Sequence, residues 1–364
     1  MDYAEGIRTL AERSPLFSGR DLHVYLIANP VAGGFSIKKR AAQNRRFLEK
    51  ALESADSRPV VCKSATSLTL KTRSSGHAGE LALGILRTAL ADESADSMYL
   101  LVTAGGDGTS LEVLGSYARI CLDEGHARLS EKVCILRLPF GTGNDGSDGR
   151  TLDQTLSLLT GDSAFARQCA VRVRPSSGNG SGWFSFNIAS IGLDAFVTDM
   201  TNRVKGVLPG NFYKIWIDIA CLFYSMFYNI GKMTVVMSNR DGTKVQSHSG
   251  RLLLALMGVS GRRTYGANQK ILPDENNVCG VREMPLFRKL KLKKSFTIGN
   301  HARFPETILC KADKMVVYYG ERILVQLDGE AHLLYPADFP LTMELTVPFI
   351  TIIRPLKEIS AIAA

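Results

Sequence analysis

Two short glycine-rich segments contain the residue types that phosphate-handling sites use. Thr103–Thr109 has the sequence TAGGDGT, and Pro139–Asp145 has the sequence PFGTGND. Glycine lets backbone amides approach a phosphate closely, and a hydroxyl at the start of a following helix can cap that helix or bind phosphate. Asp107 would repel phosphate unless a metal ion or a proton accompanies it. The alternative for GGDG alone is a tight turn in which Asp107 is a local cap.

Each segment directly follows an apolar run that predicts a buried strand. These runs are 98–103 and 133–138. A third run, 22–29, ends at Asn29, which begins the sequence NPVAGG. Helical patterns follow at 36–54 and 110–122, so strands and helices alternate through 20–165. This alternation predicts an α/β domain with a parallel sheet, whose ligands bind at the carboxyl ends of the strands. Asn29 and the amides of Gly33 and Gly34 are expected to face the same crevice.

The pattern changes near Ala170 to short apolar segments separated by turn residues, which predicts a mainly antiparallel β-sandwich. We therefore expect an α/β nucleotide-binding domain at 1–165, a β-rich substrate domain at 166–340 and a terminal strand segment at 341–364 that packs back between the domains. A basic run, 288–294, alternates with Leu and is predicted to be an edge strand that protects the sheet or attracts anionic headgroups. The apolar stretch 211–230 predicts an amphipathic helix, either core or lipid-contacting.

The motif series resembles the catalytic domain shared by diacylglycerol, sphingosine and ceramide kinases. NPVAGG, GGDGT and PFGTGND occur in the family's order, followed by FNIASIGLDA, TYGANQKILPD, GNHARFPE and VQLDGE. The resemblance implies a nucleotide-binding α/β domain, like that of NAD kinase and diacylglycerol kinase, and a β-rich lipid domain. It also implies an ATP- and Mg²⁺-dependent kinase that phosphorylates a diacylglycerol-like or sphingoid-like hydroxyl, with a role in phospholipid biosynthesis.

The resemblance also assigns roles to individual positions. The nucleotide-binding residues that match the three loops are Asn29, Gly33, Gly105, Gly106, Gly108, Thr109, Gly141, Thr142, Gly143, Asn144 and Asp145. Asp107 and Asp145 are the expected magnesium ligands. Catalysis is assigned to Asp107 and to the two acids of the late DGE turn, Asp328 and Glu330. A carboxylate must take the proton of the attacking hydroxyl, and we favour Glu330 or Asp328 over Asp107 for that role. The alternative for the DGE turn is a type I′ hairpin turn with solvated acids.

The sequence departs from the family pattern in two loops. Bacterial relatives usually have paired aspartates where this chain has AsnAsnValCysGly at 276–280, so a structural magnesium there is in doubt, although Asp274 or Asn276 could compensate. After GTGND the usual apolar continuation is replaced by GlySerAspGlyArg. Two alternatives to the lipid kinase follow: an NAD kinase-like enzyme, which lacks support because its AsnGlu fingerprint is missing, and a non-catalytic nucleotide or lipid sensor.

The net charge limits the kinds of binding partner that are expected, and the cysteine content indicates the cellular compartment. Lys and Arg number 44 against 35 Asp and Glu, a net charge of +9 that suits nucleotides or an anionic membrane surface. The basic residues lack the interleaved aromatics of a nucleic-acid platform, so no nucleic-acid partner is expected. Seven cysteines without CxxC pairs and an N-terminus without a signal peptide predict a cytoplasmic protein. The lipid substrate that the resemblance implies would bring it to the inner face of the membrane as a peripheral protein. The expected partners are ATP and a lipid at that surface, whereas the oligomeric state stays open.

Overall fold

The computed structural model describes residues 2–141, 144, 146–178, 182–204, 224, 228–265 and 269–358. The chain divides into two compact units, the first formed by 1–168 with 348–364 and the second by 169–347. The sequence places the boundaries at 165 and 340 instead. The two sets of boundaries differ because the strand Ser163–Gln168 still belongs to the first sheet and the strand Leu341–Leu345 to the second.

The first unit alternates strands with helices, as the sequence predicts. Its elements are α1 (Tyr3–Ala11), β1 (Asp21–Ala28), α2 (Gly33–Ser36), α3 (Lys38–Ala55), β2 (Ser64–Lys71), α4 (His77–Ala91), β3 (Ser97–Gly105), α5 (Asp107–Ala118), α6 (Leu129–Lys132), β4 (Val133–Pro139), α7 (Leu152–Thr160), β5 (Ser163–Gln168) and the late strand β19 (Ile350–Pro355). The sheet order is β2-β1-β3-β4-β19-β5. All pairs are parallel except β19 with β5.

The central strands of this sheet explain why the sequence predicts it so well. Every residue of β3 and of β4 is buried, since helices pack on both faces of a parallel sheet. The apolar core includes Ile7 and Leu48 from the helices and Leu100 and Leu136 from the strands. β19 adds a strand from the far end of the chain beside β4. The expected strand segment at 341–364 is thus split, because β18 pairs within the second unit.

The second unit is a curled antiparallel sheet with few helices. Its elements are β6 (Val171–Arg174), β7 (Trp183–Ser185), β8 (Ile188–Gly192), α8 (Leu193–Val204), β9 (Lys232–Ser238), β10 (Lys244–Gly258), β11 (Arg263–Tyr265), β12 (Gln269–Leu272), β13 (Val278–Arg282), α9 (Leu286–Ile298), β14 (Thr307–Cys310), β15 (Lys314–Tyr318), β16 (Ile323–Leu327), β17 (Glu330–Leu334) and β18 (Leu341–Leu345). The main path is β17-β16-β8-β10-β9-β15-β18-β6-β7, and β13 pairs with β10 and β14.

One long strand joins the two halves of this sheet. The first part of β10 pairs with β9, and its last part pairs with β8 and β13. Side chains from both halves meet in one core that includes Ile191, Met237, Met257 and Met343. The two ends of the path also approach one another, because the ring of Trp183 on β7 stacks on that of His332 on β17 at 5.0 Å. The antiparallel second domain is therefore confirmed, as a main sheet folded over its own core with a separate two-stranded sheet, β11-β12.

The basic run 288–294 lies on a helix, so the predicted edge strand is wrong. Leu, Lys and Arg are strong helix formers, and α9 is bounded by Pro285 before its first residue and by Gly299 in the left-handed region (φ 81°) after its last. The segment 211–230, predicted as an amphipathic helix, lies almost entirely outside the described residues. Among the helices that the structure does describe, none has the length and apolar character needed to cross a bilayer.

Candidate active site

The three glycine-rich loops of the first unit leave the same edge of its sheet. Ala28 pairs with Ala104, and Gly105 pairs with Pro139, so β1, β3 and β4 end side by side. The loops beginning at Asn29, Gly106 and Phe140 are therefore neighbours. The sequence places candidate nucleotide ligands in these three loops, and the sheet brings them together.

Asp107 is the first residue of α5 and couples two of the loops. Its Oδ1 atom accepts a hydrogen bond of 3.0 Å from the amide of Gly146, and its side chain is partly exposed. The first N–H groups of a helix have no carbonyl partner within that helix, and they attract anions. The amides around Gly106 and Gly108 and the Asp107 carboxylate thus offer phosphate donors and a metal ligand at one point.

Gly105 and Thr109 form the packing that sets the shape of this turn. A Cβ atom on Gly105 would lie 2.4 Å from Thr109 Oγ1. Thr109 is buried, and its Oγ1 accepts a hydrogen bond of 3.4 Å from Asn29 Nδ2. By contrast, a Cβ on Gly108 would meet no atom within 4 Å. Gly108 is therefore on the open side of the turn, whereas Gly105, Thr109 and Asn29 connect it to the first loop.

The first loop uses one of its expected ligand amides to bind the protein itself. The Gly34 amide donates a hydrogen bond of 2.7 Å to the carbonyl of Phe140. A Cβ atom on Gly34 would lie 2.5 Å from the aromatic ring of Phe140. The expectation that the Gly34 amide faces a ligand is therefore wrong, because this amide joins the first and third loops. Gly33 starts α2, and a Cβ there would meet Arg40 Nη1 at 2.7 Å.

The third loop is closed by its own asparagine. Asn144 accepts a hydrogen bond of 2.9 Å from the Gly141 amide and donates one of 3.0 Å to the Gly141 carbonyl. Asn144 thus shapes the loop with both ends of its amide. The other predicted ligands in this loop lie outside the described residues: Thr142, Gly143 and Asp145.

Two features at the loops were missed by the sequence analysis. Arg40, near the start of α3, donates from Nη2 to the Gly141 carbonyl at 2.6 Å and places a cation beside the first and third loops. The signal was the LysLysArg run directly after the first glycine loop. The other is Asp148, whose buried carboxylate contacts Arg137 at 2.7 Å and Arg354 of β19 at 3.2 Å.

The Asp148 ion pairs explain the unusual continuation after GTGND. The Arg137 amide also donates to Asp148 at 2.8 Å, so the segment is fixed to β4 by both backbone and side chain. Asp148 lies two residues beyond Gly146, the residue that donates to Asp107. The polar GlySerAspGlyArg segment therefore positions the third loop against the second.

In the second unit the DGE sequence forms the two-residue turn between β16 and β17. Leu327 pairs with Glu330, and both central residues have positive φ, 52° at Asp328 and 100° at Gly329, as a type I′ turn requires. The turn is confirmed, but its first acid is not solvated. The Asp328 carboxylate accepts hydrogen bonds from the hydroxyl of Ser185 and from three successive backbone amides, those of residues 186–188.

These contacts give Asp328 a structural task. A carboxylate has about four lone-pair sites, and Asp328 receives four donors. Burial raises the pKa of this carboxyl, while the hydrogen bonds act in the opposite direction. Glu330, in contrast, is exposed at the start of β17. The turn therefore presents Glu330 to solvent and uses Asp328 as its anchor.

A second set of polar side chains holds the same turn. Gln326 accepts from the Gly329 amide at 3.0 Å and donates to Asp194 at 3.1 Å, and Asn202 of α8 donates to the Gly329 carbonyl at 2.9 Å. Asp194 also accepts from the Ser190 hydroxyl. Burial raises the pKa of Asp194 to about 6, against the lowering effect of these two hydrogen bonds. The polar residues inside FNIASIGLDA thus connect α8 to the DGE turn.

The loop at 274–280 uses one of its two adjacent asparagines to crosslink strands. Asn277 is buried and uses its whole amide on protein, since it donates to the carbonyls of Gly258 and Ala312 and accepts from the Ala312 amide. Asp274 accepts from the amide of Asn276. Across the described residues, no three His, Cys, Asp or Glu side chains group as a metal site would require. At Asn277, within the segment where relatives carry paired aspartates, a neutral amide thus crosslinks the strands, and a magnesium ion at Asp274 or Asn276 stays a prediction.

Comparisons with known proteins agree with this geometry. Residues 23–162, which carry all three glycine loops, match the model of the diacylglycerol kinase catalytic domain. The resemblance of the three loops to this catalytic domain thus extends over most of the first unit. A curated relative, the diacylglycerol kinase of Bacillus subtilis (strain 168), is 23% identical over 327 residues, which are 86% of this chain and 91% of that protein.

Solved structures related to the diacylglycerol kinase family share the fold of the whole chain. A diacylglycerol kinase from Bacillus anthracis str. Sterne has a TM-score of 0.52 at 15% identity, and a putative diacylglycerol kinase from the same organism has a TM-score of 0.54 at 17% identity. Each match covers 91% of this chain and 96% of the other. The two-unit architecture is thus that of bacterial proteins described as diacylglycerol kinases.

Proposed function

We propose that the protein is an ATP-dependent lipid kinase that transfers the γ-phosphate to a lipid hydroxyl. The observation that carries the proposal is the placement of Asp107 at the first position of α5, tied to the next loop through Gly146. This arrangement joins a helix N-terminus, which favours phosphate, to a carboxylate, which favours a cation. The family match over the same residues supports a phosphate-transfer role.

The first unit binds ATP in this proposal. The amides at Gly106 and Gly108 donate to phosphate oxygens, and the Arg40 guanidinium, now bound to the Gly141 carbonyl, adds positive charge beside the loops. Asn29, Gly105 and Thr109 maintain the turn, as do Gly33, Gly141 and Asn144 in the neighbouring loops. Thr142 and Gly143 remain proposed nucleotide ligands.

The residues present fit a magnesium ion bound together with the nucleotide. Mg²⁺ keeps several waters and commonly binds through one or two carboxylates plus substrate phosphates. Asp107 supplies one such carboxylate, because it is partly exposed at the first position of α5, beside the loop that holds Gly146. Asp145 is the proposed second ligand. When bound, the ion would neutralise charge on the phosphates during transfer.

The second unit supplies the general base in this proposal. Glu330 accepts the proton of the lipid hydroxyl as the hydroxyl oxygen forms its bond to the γ-phosphorus and the bond to the β-phosphate oxygen breaks, which releases ADP. Glu330 suits this role because it is exposed, whereas Asp328 already has four donors. Asp328 therefore acts as the residue that positions the turn.

Diacylglycerol is the first acceptor to test, since the relative from Bacillus subtilis is described as a diacylglycerol kinase. A sphingoid base is the second. We also propose that the protein meets this substrate at the inner surface of the membrane. The NAD kinase reading is not favoured, because the match is to the diacylglycerol kinase domain and PFGTGND occupies the place of the NAD kinase fingerprint.

The test is a transfer assay with γ-labelled ATP and Mg²⁺. Purified protein is offered diacylglycerol, a sphingoid base, ceramide, phosphatidylglycerol and NAD in separate reactions. We expect label in a lipid phosphate, strongest with diacylglycerol, and none in NAD. Label in NAD alone would assign the protein to the other enzyme class. Absence of transfer to every acceptor, with ATP still bound, would support the non-catalytic sensor.

A further inference from the structure

Helix α9 exposes two large apolar side chains on one face. Phe287 is 85% exposed and Ile298 is 60% exposed, and the two are eleven residues apart, which is close to three full turns. They therefore lie on the same side of the helix. Lys291, four residues after Phe287, is also exposed and lies on that side. In the sequence, Lys294 is also at a helical spacing from Phe287.

The opposite side of α9 packs on the second unit. Phe296 stacks on His301 at 4.2 Å, and Ser295 is buried. Lys289, whose side chain is only 10% exposed, pairs with Glu283 at 3.0 Å. Two basic residues of the run are thus already used within the protein, since Arg288 pairs with Glu306 as well. The helix has a protein-facing side and an outer face defined by Phe287, Lys291 and Ile298.

We propose that this outer face of α9 docks on an anionic lipid bilayer. An aromatic and an aliphatic residue with lysine between them is the composition of helices that lie in the plane of a membrane interface, where lysine reaches the headgroups. The helix carries five basic and no acidic residues, which complements an anionic surface. An RNA partner would use the lysines but would leave two exposed aliphatic and aromatic side chains without a role. The proposal rests on the proposed function for its lipid substrate.

The experiment is co-sedimentation of the full chain with vesicles, without ATP. Vesicles of phosphatidylglycerol and phosphatidylcholine are compared with phosphatidylcholine alone, at 0.1 M and at 1 M salt. We expect preference for the anionic vesicles and its loss at high salt, because the Debye length shrinks from ~10 Å to ~3 Å. Each basic residue near such a surface is worth about fivefold in binding, so Lys291→Glu should weaken it by roughly twentyfold. Phe287→Ser should weaken it roughly tenfold at both salt concentrations.

Matched variants on the same unit serve as controls. Tyr318→Ser removes another exposed aromatic, and Lys244→Glu reverses another exposed lysine. Both should bind vesicles within about twofold of the wild type. Equal losses from the control pair and the α9 pair would overturn the proposal, as would equal binding to both vesicle types. An RNA partner would also overturn the proposal. It would be indicated if RNA displaces the protein from vesicles, and if RNA binding is kept by Phe287→Ser but lost in Lys291→Glu.

Catalysis and docking are separated by the choice of readout. The catalytically impaired Asp107→Asn protein should bind anionic vesicles as the wild type does, because Asp107 belongs to the other unit. If no acceptor is phosphorylated but the α9 variants still lose vesicle binding, the proposed activity fails and the docking face stands. If transfer to diacylglycerol occurs while the α9 variants bind vesicles normally, the docking face fails and the activity stands.

Discussion

Asp107 and Asp328 belong to similar glycine-containing turns, yet their surroundings give them different tasks. Asp107 begins a helix, is partly exposed and accepts from the Gly146 amide with one of its oxygens. Asp328 has positive φ in a hairpin turn and accepts four hydrogen bonds from Ser185 and the amides that follow it. The same side-chain type is therefore a proposed metal ligand in one unit and a structural anchor in the other.

This difference shows that the presence of an aspartate in a motif does not by itself define its role. The hydrogen-bond donors around its carboxylate must be known as well. A partly exposed carboxylate at a helix start can bind a cation or a proton, whereas one with four protein donors stabilises the backbone that supplies them. In the DGE turn the anchor, Asp328, and the proposed base, Glu330, are two residues apart, and only Glu330 is exposed.

The largest effect is expected from Asp107→Asn. The variant keeps the shape of the side chain but removes the charge that binds magnesium, so kcat should fall by about a thousandfold while the fold is retained. Steady-state transfer of labelled phosphate measures this. Asp56→Asn, an exposed aspartate at the end of α3, is the control and should keep full activity. Wild-type turnover by Asp107→Asn would refute the assignment.

Asp148→Asn tests whether the ion pairs hold the third loop. The change leaves the buried Arg137 and the partly exposed Arg354 without their anion, which should destabilise the first unit by about 3 to 5 kcal/mol and weaken ATP binding. Thermal unfolding and ATP titration measure these effects. Asp96→Asn breaks the exposed pair with Lys63 and should leave the unfolding temperature almost unchanged. Equal costs for the two variants would contradict the role of burial.

Asp328→Asn tests the anchor of the DGE turn. An Asn amide would place an NH₂ group against one of the backbone N–H donors. The second unit should therefore lose about 2 to 4 kcal/mol of stability. We expect kcat to fall as well, because the turn that carries Glu330 loses its anchor. Urea unfolding can be followed by fluorescence, because both tryptophans, Trp183 and Trp216, fall within 169–347. Asp241→Asn, in an exposed turn, is the matched control. A stable variant with lost kcat would instead make Asp328 the base.

The smallest effect concerns pH and Asp194. Its pKa is raised from 3.8 to about 6 in the folded unit, so the folded state binds this proton more tightly than the unfolded chain. The corresponding stability is present below about pH 4 and is lost as pH rises to about 6. Asp194→Asn should remove up to about 3 kcal/mol of this dependence. Parallel stability curves for wild type and variant between pH 4 and pH 7 would contradict it.

The parallel sheet and its three loops could be predicted because local signals agree there. Buried strands are continuous apolar runs, and each is followed by glycines, so β1, β3 and β4 are correct to within about two residues. The basic run failed because alternating Leu and Lys also suits a helix, and the flanking Pro285 and Gly299 decide the outcome. Short alternating segments are ambiguous without their flanks.

The ion pairs and hydrogen bonds that hold the loops and the DGE turn in place could not be predicted, because they join residues that are far apart in the sequence. Asp148 meets Arg354 across 206 positions, and Asp328 meets Ser185 across 143. Nothing local distinguishes the buried Asp328 from the exposed Glu330. The Gly34 amide was expected to face a ligand, and only the fold shows that Phe140 accepts its hydrogen bond.

The central claim is that nucleotide binding belongs to the first unit and proton removal to Glu330 of the second. The most direct measurement is kcat together with the ATP dissociation constant for Glu330→Gln, with Glu275→Gln, an exposed acid of the same unit, as control. We predict a fall in kcat of about a hundredfold to ten-thousandfold and an unchanged dissociation constant, because the nucleotide loops are untouched. Near-normal kcat in Glu330→Gln would contradict the account and make Asp107 the leading candidate for the base.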